Sequence, residues 1–290
     1  MRNLVVCCDG TWNTPDQKQG GLPCPTNVVK IFNACVENDN QIKYYHPGVG
    51  TEGSKLKRMV AGGIGIGLDQ NIQSAYSWLC RNYHPGDHIF LFGFSRGAYT
   101  VRSLSGFTQR CGLLKPDIHV NPNEFWKRIE TAYREGYRKQ KDKTVWGKGW
   151  ITLIDEEGNP PAIHFIGVWD TVGALGVPDD LVLADMIIDD PANYHFHDTN
   201  LSPQVHHAYH AVALDEMRAS FAPTLWTMKK ARPDNTTYEQ LWFVGNHSDV
   251  GGGHVECGLS DIALQWMSEK AANCGLCLDQ KLLNLSLIHI

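Results

Sequence analysis

The chain has 290 residues, of which 42% are hydrophobic and 20% are charged, and its formal net charge is −5. This composition excludes disordered and fibrous proteins and indicates a soluble globular protein. The acidic balance argues against nucleic-acid binding, because domains that bind nucleic acid usually carry a strong basic excess. No apolar run approaches the roughly 20 residues of a membrane-spanning helix, and no Sec-type signal peptide is visible. We therefore expect a cytoplasmic protein.

Predicted strands and helices alternate along the chain. Apolar runs of strand length predict strands at Leu4–Cys8, Ile42–Tyr45, Ile89–Phe92, Ile163–Val168 and Gln240–Val244. Helical patterns predict helices at Asn27–Val36, Leu68–Asn82 and Ala98–Arg110, and a last helix that starts after Ser260 and ends near Asn273. Strands that are apolar on both faces and separated by helices are typical of a parallel sheet covered on both sides. The predicted fold class is therefore α/β, with a mostly parallel central sheet.

We interpret residues 3–284 as one domain that carries two inserts. Insert 123–150 is rich in lysine and arginine, whereas insert 176–200 is rich in aspartate and contains neither basic residue. Charged segments of this kind usually form solvent-exposed surfaces. The alternative hypothesis is that the two inserts, which carry opposite charge, pair to form a lid over a site. Residues 285–290, LSLIHI, match the translation of a transposon end used in preparing sequencing libraries. We therefore expect a non-native tail on a truncated gene.

Nine cysteines are scattered along the chain, and this odd number favours reduced thiols over a disulfide framework. Cys274 and Cys277 form a CxxC pair without a second pair, although a structural zinc site needs four ligands. His206, His207 and His210 read as a helical segment with an i, i+4 pair, but no third ligand accompanies them. We expect neither a metal nor an organic cofactor.

The stretch DHIFLFGFSRGAYTVRSLSG joins a predicted strand to a predicted helix through Gly93-Phe94-Ser95-Arg96-Gly97. In this setting the GxSxG pattern predicts a nucleophile elbow, a sharp turn that lifts the serine hydroxyl above the sheet. The turn has room for its neighbours only if Gly93 and Gly97 lack side chains. Ser95 is therefore the predicted nucleophile, and the backbone N–H of Arg96 is a predicted oxyanion donor.

A serine nucleophile needs a histidine base and a carboxylate that orients the histidine, each just after a later strand. Asp170 follows the fourth predicted strand in GVWDTVG, and His247 follows the fifth in NHSDVGGGH. Two alternative acids remain: Asp249 is only two residues from His247, and Asp215 lies in a helix-like stretch. The favoured triad is Ser95, Asp170 and His247.

The opening stretch LVVCCDGTWN resembles the start of a haloacid-dehalogenase-type phosphatase. That motif needs a nucleophilic aspartate two residues before a second aspartate. Alignment on Asp9 places Cys7 at the nucleophile position, so this route to phosphoryl transfer is disfavoured. In an α/β-hydrolase the loop after an early strand supplies the second oxyanion donor, and we assign that role to Thr11 and Gly10.

Six motifs occur in order between Leu4 and about Trp266: CCDGTWN, YYHPGVGT, GFSRGAYTVRSLSG, GVWDTVG, HAVALDEMRASFAPTLW and NHSDVGGGH. Together they resemble the uncharacterised α/β-hydrolase family that includes the phospholipase effectors of bacterial type VI secretion. The resemblance implies an α/β-hydrolase fold and a triad formed by Ser95, Asp170 and His247.

The resemblance also implies an ester or lipid substrate, peripheral contact with a membrane surface, and delivery by a secretion system that needs no signal peptide. The sequence identifies no secretion-system partner. The predicted function is a serine hydrolase that cleaves carboxylic esters, with phospholipids or other acyl lipids as the candidate substrates. The alternative from another class is a non-catalytic α/β interaction module.

Overall fold

The computed structural model describes residues 1–48, 63–117, 119–154, 158–173, 201–202, 204–227 and 235–287. The acidic insert 176–200 lies outside the described residues, as do residues 288–290 of the predicted tail. Within the described part of the chain, no helix is long and apolar enough to cross a membrane.

Six parallel strands form the central sheet. In chain order they are β1 (Asn3–Cys8), β2 (Gln41–His46), β3 (His88–Phe94), β4 (Ile163–Trp169), β5 (Val205–Ala213) and β6 (Thr237–Phe243). Their order across the sheet is β6-β5-β4-β3-β1-β2. In the part of the chain that the structure describes, two short antiparallel pairs lie outside it, Lys18–Gln19 with Leu22–Pro23 and Leu113–Leu114 with Thr152–Leu153.

Helices cover both faces of the sheet. They are α1 (Asn27–Ala34), α2 (Gly63–Asn82), α3 (Arg96–Cys111), α4 (Pro122–Thr131), α5 (Lys143–Trp146), α6 (His247–Gly251), α7 (Gly258–Asn273) and α8 (Gln280–Ser286), with a π-helix at Ala132–Arg138 and a 3-10 helix at Ala219–Phe221. Helices α2, α3 and α4 contribute to the core on one face, and α1, α7 and α8 to the core on the other. This α/β-hydrolase-like architecture confirms the predicted fold class.

The inner strands are apolar on both faces because each face packs against helices. Leu4 and Val6 of β1 belong to the core on the α2–α3 side, whereas Val5 and Cys7 belong to the core on the α1–α7 side. Successive side chains of a strand point to opposite faces, so a continuous apolar run satisfies both cores. This explains why the sequence locates β1 and β3 readily.

Three elements differ from the sequence-based expectation. The stretch Val205–Ala213 is a strand of the sheet, although its three histidines read as helical. Helix α2 begins at Gly63, upstream of the predicted start at Leu68. Helix α7 begins at Gly258, so Ser260 is a buried residue inside the helix and not its N-cap.

The basic insert 123–150 forms α4, the π-helix and α5. It is attached to α2 by a hydrogen bond from the Tyr133 hydroxyl to Asp69 Oδ1 at 2.6 Å. Part of its basic charge is neutralised locally, since Glu135 pairs with Lys139 at 3.0 Å and with Lys141 at 2.6 Å. Exposed ion pairs of this kind contribute little to stability. A lid role for this insert stays a prediction.

The sheet has a topological switch point between β1 and β3. Strand β2 lies on one side of β1, and the chain then crosses to β3 on the other side. Ligands of open parallel sheets bind outside the carboxyl ends of the strands at such a point. The loop after β1 carries Gly10 and Thr11, and the turn after β3 carries Ser95, so the predicted site lies where the topology favours binding.

Candidate active site

Ser95 occupies a strained turn between β3 and α3. Its backbone has φ 56° and ψ −123°, in a region that side-chain-bearing residues rarely adopt. A Cβ on Gly97 would lie 2.0 Å from the carbonyl oxygen of Cys8, and a Cβ on Gly93 would lie 2.5 Å from the carbonyl oxygen of Gly97. The close approach of these backbones requires glycine at both positions, as the elbow geometry predicts.

Asp170 and His247 form a buried hydrogen-bonded pair. His247 Nδ1 lies 2.6 Å from Asp170 Oδ2, and neither side chain is appreciably exposed. The other carboxylate oxygen, Oδ1, accepts the N–H of Ala213 at 2.9 Å, and the N–H of Asp170 donates to the carbonyl of Ala211 at 2.7 Å. The carboxylate is therefore fixed by the end of β5 while it orients the imidazole ring.

The ring of His247 lies beside the elbow. Its centroid is 4.5 Å from that of Phe94, the residue before Ser95, and 4.9 Å from that of Phe221. Among the described residues the Ser95 hydroxyl has no hydrogen-bond partner, so the serine–histidine bond is not formed here. Catalytic hydrogen bonds are often long until substrate binds.

The two alternative acids serve the loop that carries His247. Asp249 Oδ2 accepts the N–H of Asn246 at 2.9 Å in a capping box at the start of α6. Asp215 Oδ2 accepts the N–H of Gly245 at 2.7 Å. Both carboxylates hold backbone groups beside His247, and Asp170 is the acid that meets its ring.

The predicted oxyanion donors have different surroundings. The N–H of Gly10 donates to Asp9 Oδ1 at 2.7 Å, so it is occupied. Among the described residues, the N–H groups of Thr11 and Arg96 have no hydrogen-bond partner. A Cβ on Gly10 would lie 3.1 Å from Ser95 Cβ, which places this loop against the nucleophile. The two unoccupied N–H groups are the better candidates for oxyanion stabilisation.

Asp9 anchors the loop after β1, a role that sequence reasoning missed. Its Oδ2 accepts the hydroxyls of Thr26 at 2.6 Å and Tyr45 at 2.9 Å, while its Oδ1 accepts the N–H of Gly10. Burial raises the pKa of Asp9 to about 6, although these hydrogen bonds oppose the shift. Cys7, at the aligned phosphatase nucleophile position, is fully buried in the sheet core.

His210, on the neighbouring strand β5, supports the turn that follows Asp170. It is fully buried on β5, and its Nε2 accepts the N–H of Thr171 at 3.2 Å. The other nitrogen, Nδ1, therefore carries the proton and donates to Gln240 Oε1 at 3.1 Å. Burial and the nearby Arg102 lower the pKa of His210 to about 3. This histidine is a structural part of the turn that follows Asp170.

The remaining candidate ligand groups do not assemble into a metal site. Among the described residues, no group of three or more histidine, cysteine or acidic side chains could hold a metal ion. Cys277 is exposed, whereas Cys274 is half-buried, and both are free thiols.

Comparisons with known proteins find similarity to a family and to individual proteins. A model of the family described as "T6SS, Phospholipase effector Tle1-like, catalytic domain" matches residues 2–270. An uncharacterized protein from Saccharomyces cerevisiae is 30% identical over an alignment of 248 residues, which covers 78% of this chain and 33% of the yeast protein.

The crystal structure of an uncharacterized protein from Pseudomonas aeruginosa has a similar fold. It covers 97% of this chain at 19% identity with a TM-score of 0.52, and the match covers 47% of that protein. The chain thus spans less than half the length of either of these two proteins.

Proposed function

Because this chain belongs to the catalytic-domain family of Tle1-like T6SS phospholipase effectors, we propose that it is a serine ester hydrolase. Ser95 is the nucleophile, His247 the general base, and Asp170 the acid that orients the ring. The observation that carries this proposal is the 2.6 Å hydrogen bond between His247 and Asp170, formed beside a serine held at positive φ.

The chemistry follows from the roles of these groups. The Ser95 hydroxyl oxygen attacks the ester carbonyl carbon while Nε2 of His247 takes the hydroxyl proton. Asp170 accepts the Nδ1–H and stabilises the imidazolium. The proton then goes to the leaving alcohol, and a water molecule activated by His247 releases the acyl group from Ser95.

The negative charge that develops on the carbonyl oxygen needs donors that are already in place. The N–H of Arg96 is the first of α3, where the helix dipole favours negative charge. The N–H of Thr11 is the second proposed donor, because Thr11 follows Gly10, whose Cβ position lies 3.1 Å from Ser95 Cβ, in the loop anchored by Asp9. Both support an acyl-transfer mechanism, and neither the roles above nor these donors require a metal.

The proposed substrates are carboxylic esters of lipids, with phospholipids as the leading class. The family description supports this choice, since it names phospholipase effectors. Peripheral contact with a membrane surface and delivery through a secretion system belong to the same proposal.

Hydrolysis by serine variants tests the function. We expect the parent to hydrolyse nitrophenyl butyrate and a short-chain phospholipid, and Ser95→Ala to lose at least about a thousandfold in kcat/KM for both. Ser248→Ala is the matched control, because Ser248 adjoins His247 in α6 and serves no role in the mechanism. It should retain a rate within a few fold of the parent.

A Ser95→Ala variant with the parent's rate would contradict the proposed nucleophile. A correctly folded parent that hydrolyses neither ester would favour the non-catalytic interaction module instead.

A further inference from the structure

The segment after β5 is bonded to the loop that carries His247. The N–H of Asp215 donates to the carbonyl of Gly245 at 3.0 Å, and the N–H of Gly245 donates back to Asp215 Oδ2 at 2.7 Å. The next carboxylate along the chain, Glu216, accepts the N–H of His247 at 3.2 Å on Oε2. His247 is the first residue of α6, and the first N–H groups of a helix have no partner within it. Glu216 therefore supplies the missing partner to the residue that we propose as the base.

Glu216 binds Arg218 at the same time. The side chain of Glu216 is only 3% exposed, and the guanidinium occupies both of its oxygens: Nε donates to Oε1 at 2.8 Å, and Nη2 donates to Oε2 at 2.7 Å. The hydrogen bonds from the Arg218 side chain lower the pKa of Glu216 to about 2, so the carboxylate stays charged at neutral pH. Because a two-bonded arginine–carboxylate pair has a fixed geometry, Glu216 sets the orientation of the guanidinium.

The oriented guanidinium lies against a ring that contacts His247. Its carbon atom is 3.8 Å from the centre of the Phe221 ring, well within the range of a cation–π contact. The centre of the Phe221 ring is in turn 4.9 Å from that of His247, with 73° between the two planes. Glu216 thus reaches His247 by two routes, through the backbone N–H and through Arg218 and Phe221. We call Glu216, Arg218 and Phe221 the clamp.

The hydrogen bond to Asp170 does not by itself fix the imidazole of His247. A ring held through one nitrogen can still turn about the line from Nδ1 to Asp170 Oδ2, and the outer torsion of a histidine side chain has only broad preferences. Such a turn would displace Nε2, which has to take the proton of Ser95. Ring contacts with Phe94 at 4.5 Å and Phe221 at 4.9 Å restrict the turn. A displacement of about 1 Å in a reacting group can cost about a hundredfold in rate.

We propose that the clamp positions the imidazole of His247, so that Glu216, Arg218 and Phe221 are positioning residues for proton transfer. This inference rests on the proposed function and deepens it. Although 52% of the Arg218 side chain is exposed, its charge is neutralised by Glu216. That neutralisation favours a positioning role over the binding of a charged substrate group.

Kinetics of clamp variants provide the first test. Arg218→Met keeps a long side chain without the planar cation, and Phe221→Leu removes the ring. We expect each to lower kcat for nitrophenyl butyrate by about 10-fold while KM stays within about twofold, because the proton acceptor of both acylation and deacylation is displaced and substrate binding is not. Phe221→Tyr keeps the ring and should restore most of the parent's kcat.

Lys270→Met is the matched control. Lys270 makes the same two kinds of contact on α7, an ion pair with Glu239 at 2.7 Å and a cation–π contact 5.3 Å from the centre of the Tyr209 ring. It has no role in the mechanism, so kcat of this variant should stay within about twofold of the parent's.

A proton resonance reports on the ring without turnover. In protein labelled with ¹⁵N in histidine, the Nδ1–H of His247 that is bonded to Asp170 should resonate far downfield, and its loss in His247→Gln assigns it. A ring that turns more freely exposes this proton to exchange with water. We expect the resonance to broaden or vanish in Arg218→Met and Phe221→Leu, and to remain in Phe221→Tyr and Lys270→Met.

Two results would overturn the inference. One is a parent-like kcat together with a parent-like resonance in both Arg218→Met and Phe221→Leu. The other is a raised KM with unchanged kcat, which would make these residues part of substrate binding. Circular dichroism verifies folding, and Arg218→Met decides the question if Phe221→Leu does not fold, because the Arg218 side chain is half exposed.

The proposed hydrolase activity is judged separately. A parent that hydrolyses no ester would refute the enzyme, and the resonance would still decide whether the clamp holds the ring. An active esterase whose clamp variants match the parent in kcat and in the resonance would refute the clamp and retain the enzyme.

Discussion

The side chains of the candidate site are fixed by partners from several elements. Asp170 uses one oxygen for the N–H of Ala213 and the other for the ring of His247. The sequence locates Asp170 and His247 because each follows a strand in a glycine-containing turn. It does not reveal the support from Ala213 or His210, since these contacts join residues distant in the chain.

Replacement of the acid tests its orienting role. In Asp170→Asn, one amide oxygen replaces two carboxylate oxygens and can accept only one of the two donors. If it accepts Nδ1–H of His247, the Ala213 N–H is left unpaired. If it accepts the Ala213 N–H, the ring of His247 is held in the wrong tautomer. We expect kcat for ester hydrolysis to fall by about 10³- to 10⁴-fold while the fold is retained. Rates are measured on nitrophenyl butyrate, with circular dichroism as the check on folding.

Asp249→Asn is the matched control, because its carbonyl oxygen can still accept the N–H of Asn246. Its rate should stay within a few fold of the parent's. A large loss in Asp249→Asn together with a small one in Asp170→Asn would reverse the assignment of the acid.

At the scale of elements, local sequence patterns predict the strand, turn and helix of the elbow. They do not predict strand β5, which reads as helical. The elbow is defined by neighbours in sequence: an apolar strand, glycines at two fixed positions, and a helix. Strand β5 carries polar side chains whose partners lie elsewhere, such as His210 with Gln240 on β6. Its sequence therefore lacks a clear apolar pattern, and the assignment depends on tertiary contacts.

Alanine in place of Gly97 tests the packing of α3 against β1. Its Cβ would lie 2.0 Å from the Cys8 carbonyl oxygen, which belongs to a central strand and cannot move freely. We expect the free energy of unfolding to fall by about 3 kcal/mol or more. Urea denaturation measures the change.

Gly106→Ala, in the same helix, provides the comparison. There the atoms nearest to the Cβ would belong to the side chain of Tyr137, at 3.2 Å, and alanine is the better helix former by about 1 kcal/mol. We expect a change of less than about 1 kcal/mol. Equal effects of the two substitutions would contradict the close packing inferred at the elbow.

At the scale of the whole molecule, buried histidines make stability depend on pH. Burial lowers the pKa of His164 to about 4 and that of His210 to about 3, from an ordinary value of 6.5. The unfolded chain therefore binds protons first as the pH falls. The contribution of these histidines to stability is present above pH 6.5 and is lost progressively as the pH falls towards their folded-state pKa values.

Asp9 acts in the opposite direction. Burial raises its pKa from 3.8 to about 6, so its contribution is present below pH 3.8 and is lost as the pH rises through about 6. Urea denaturation of the parent and of His210→Gln between about pH 7 and about pH 5 measures how much His210 contributes to the pH dependence of the free energy of unfolding. We expect a shallower fall in stability for the variant, and parallel curves would contradict the buried neutral state of His210.

The central claim is that Ser95 is an activated nucleophile, and covalent labelling tests it most directly. A fluorophosphonate reacts with a serine whose proton is taken by a neighbouring base. Mass spectrometry should place one adduct on Ser95 of the parent, with no adduct in Ser95→Ala and strongly reduced labelling in His247→Ala. A folded parent that remains unlabelled, or an adduct on another serine, would contradict the account.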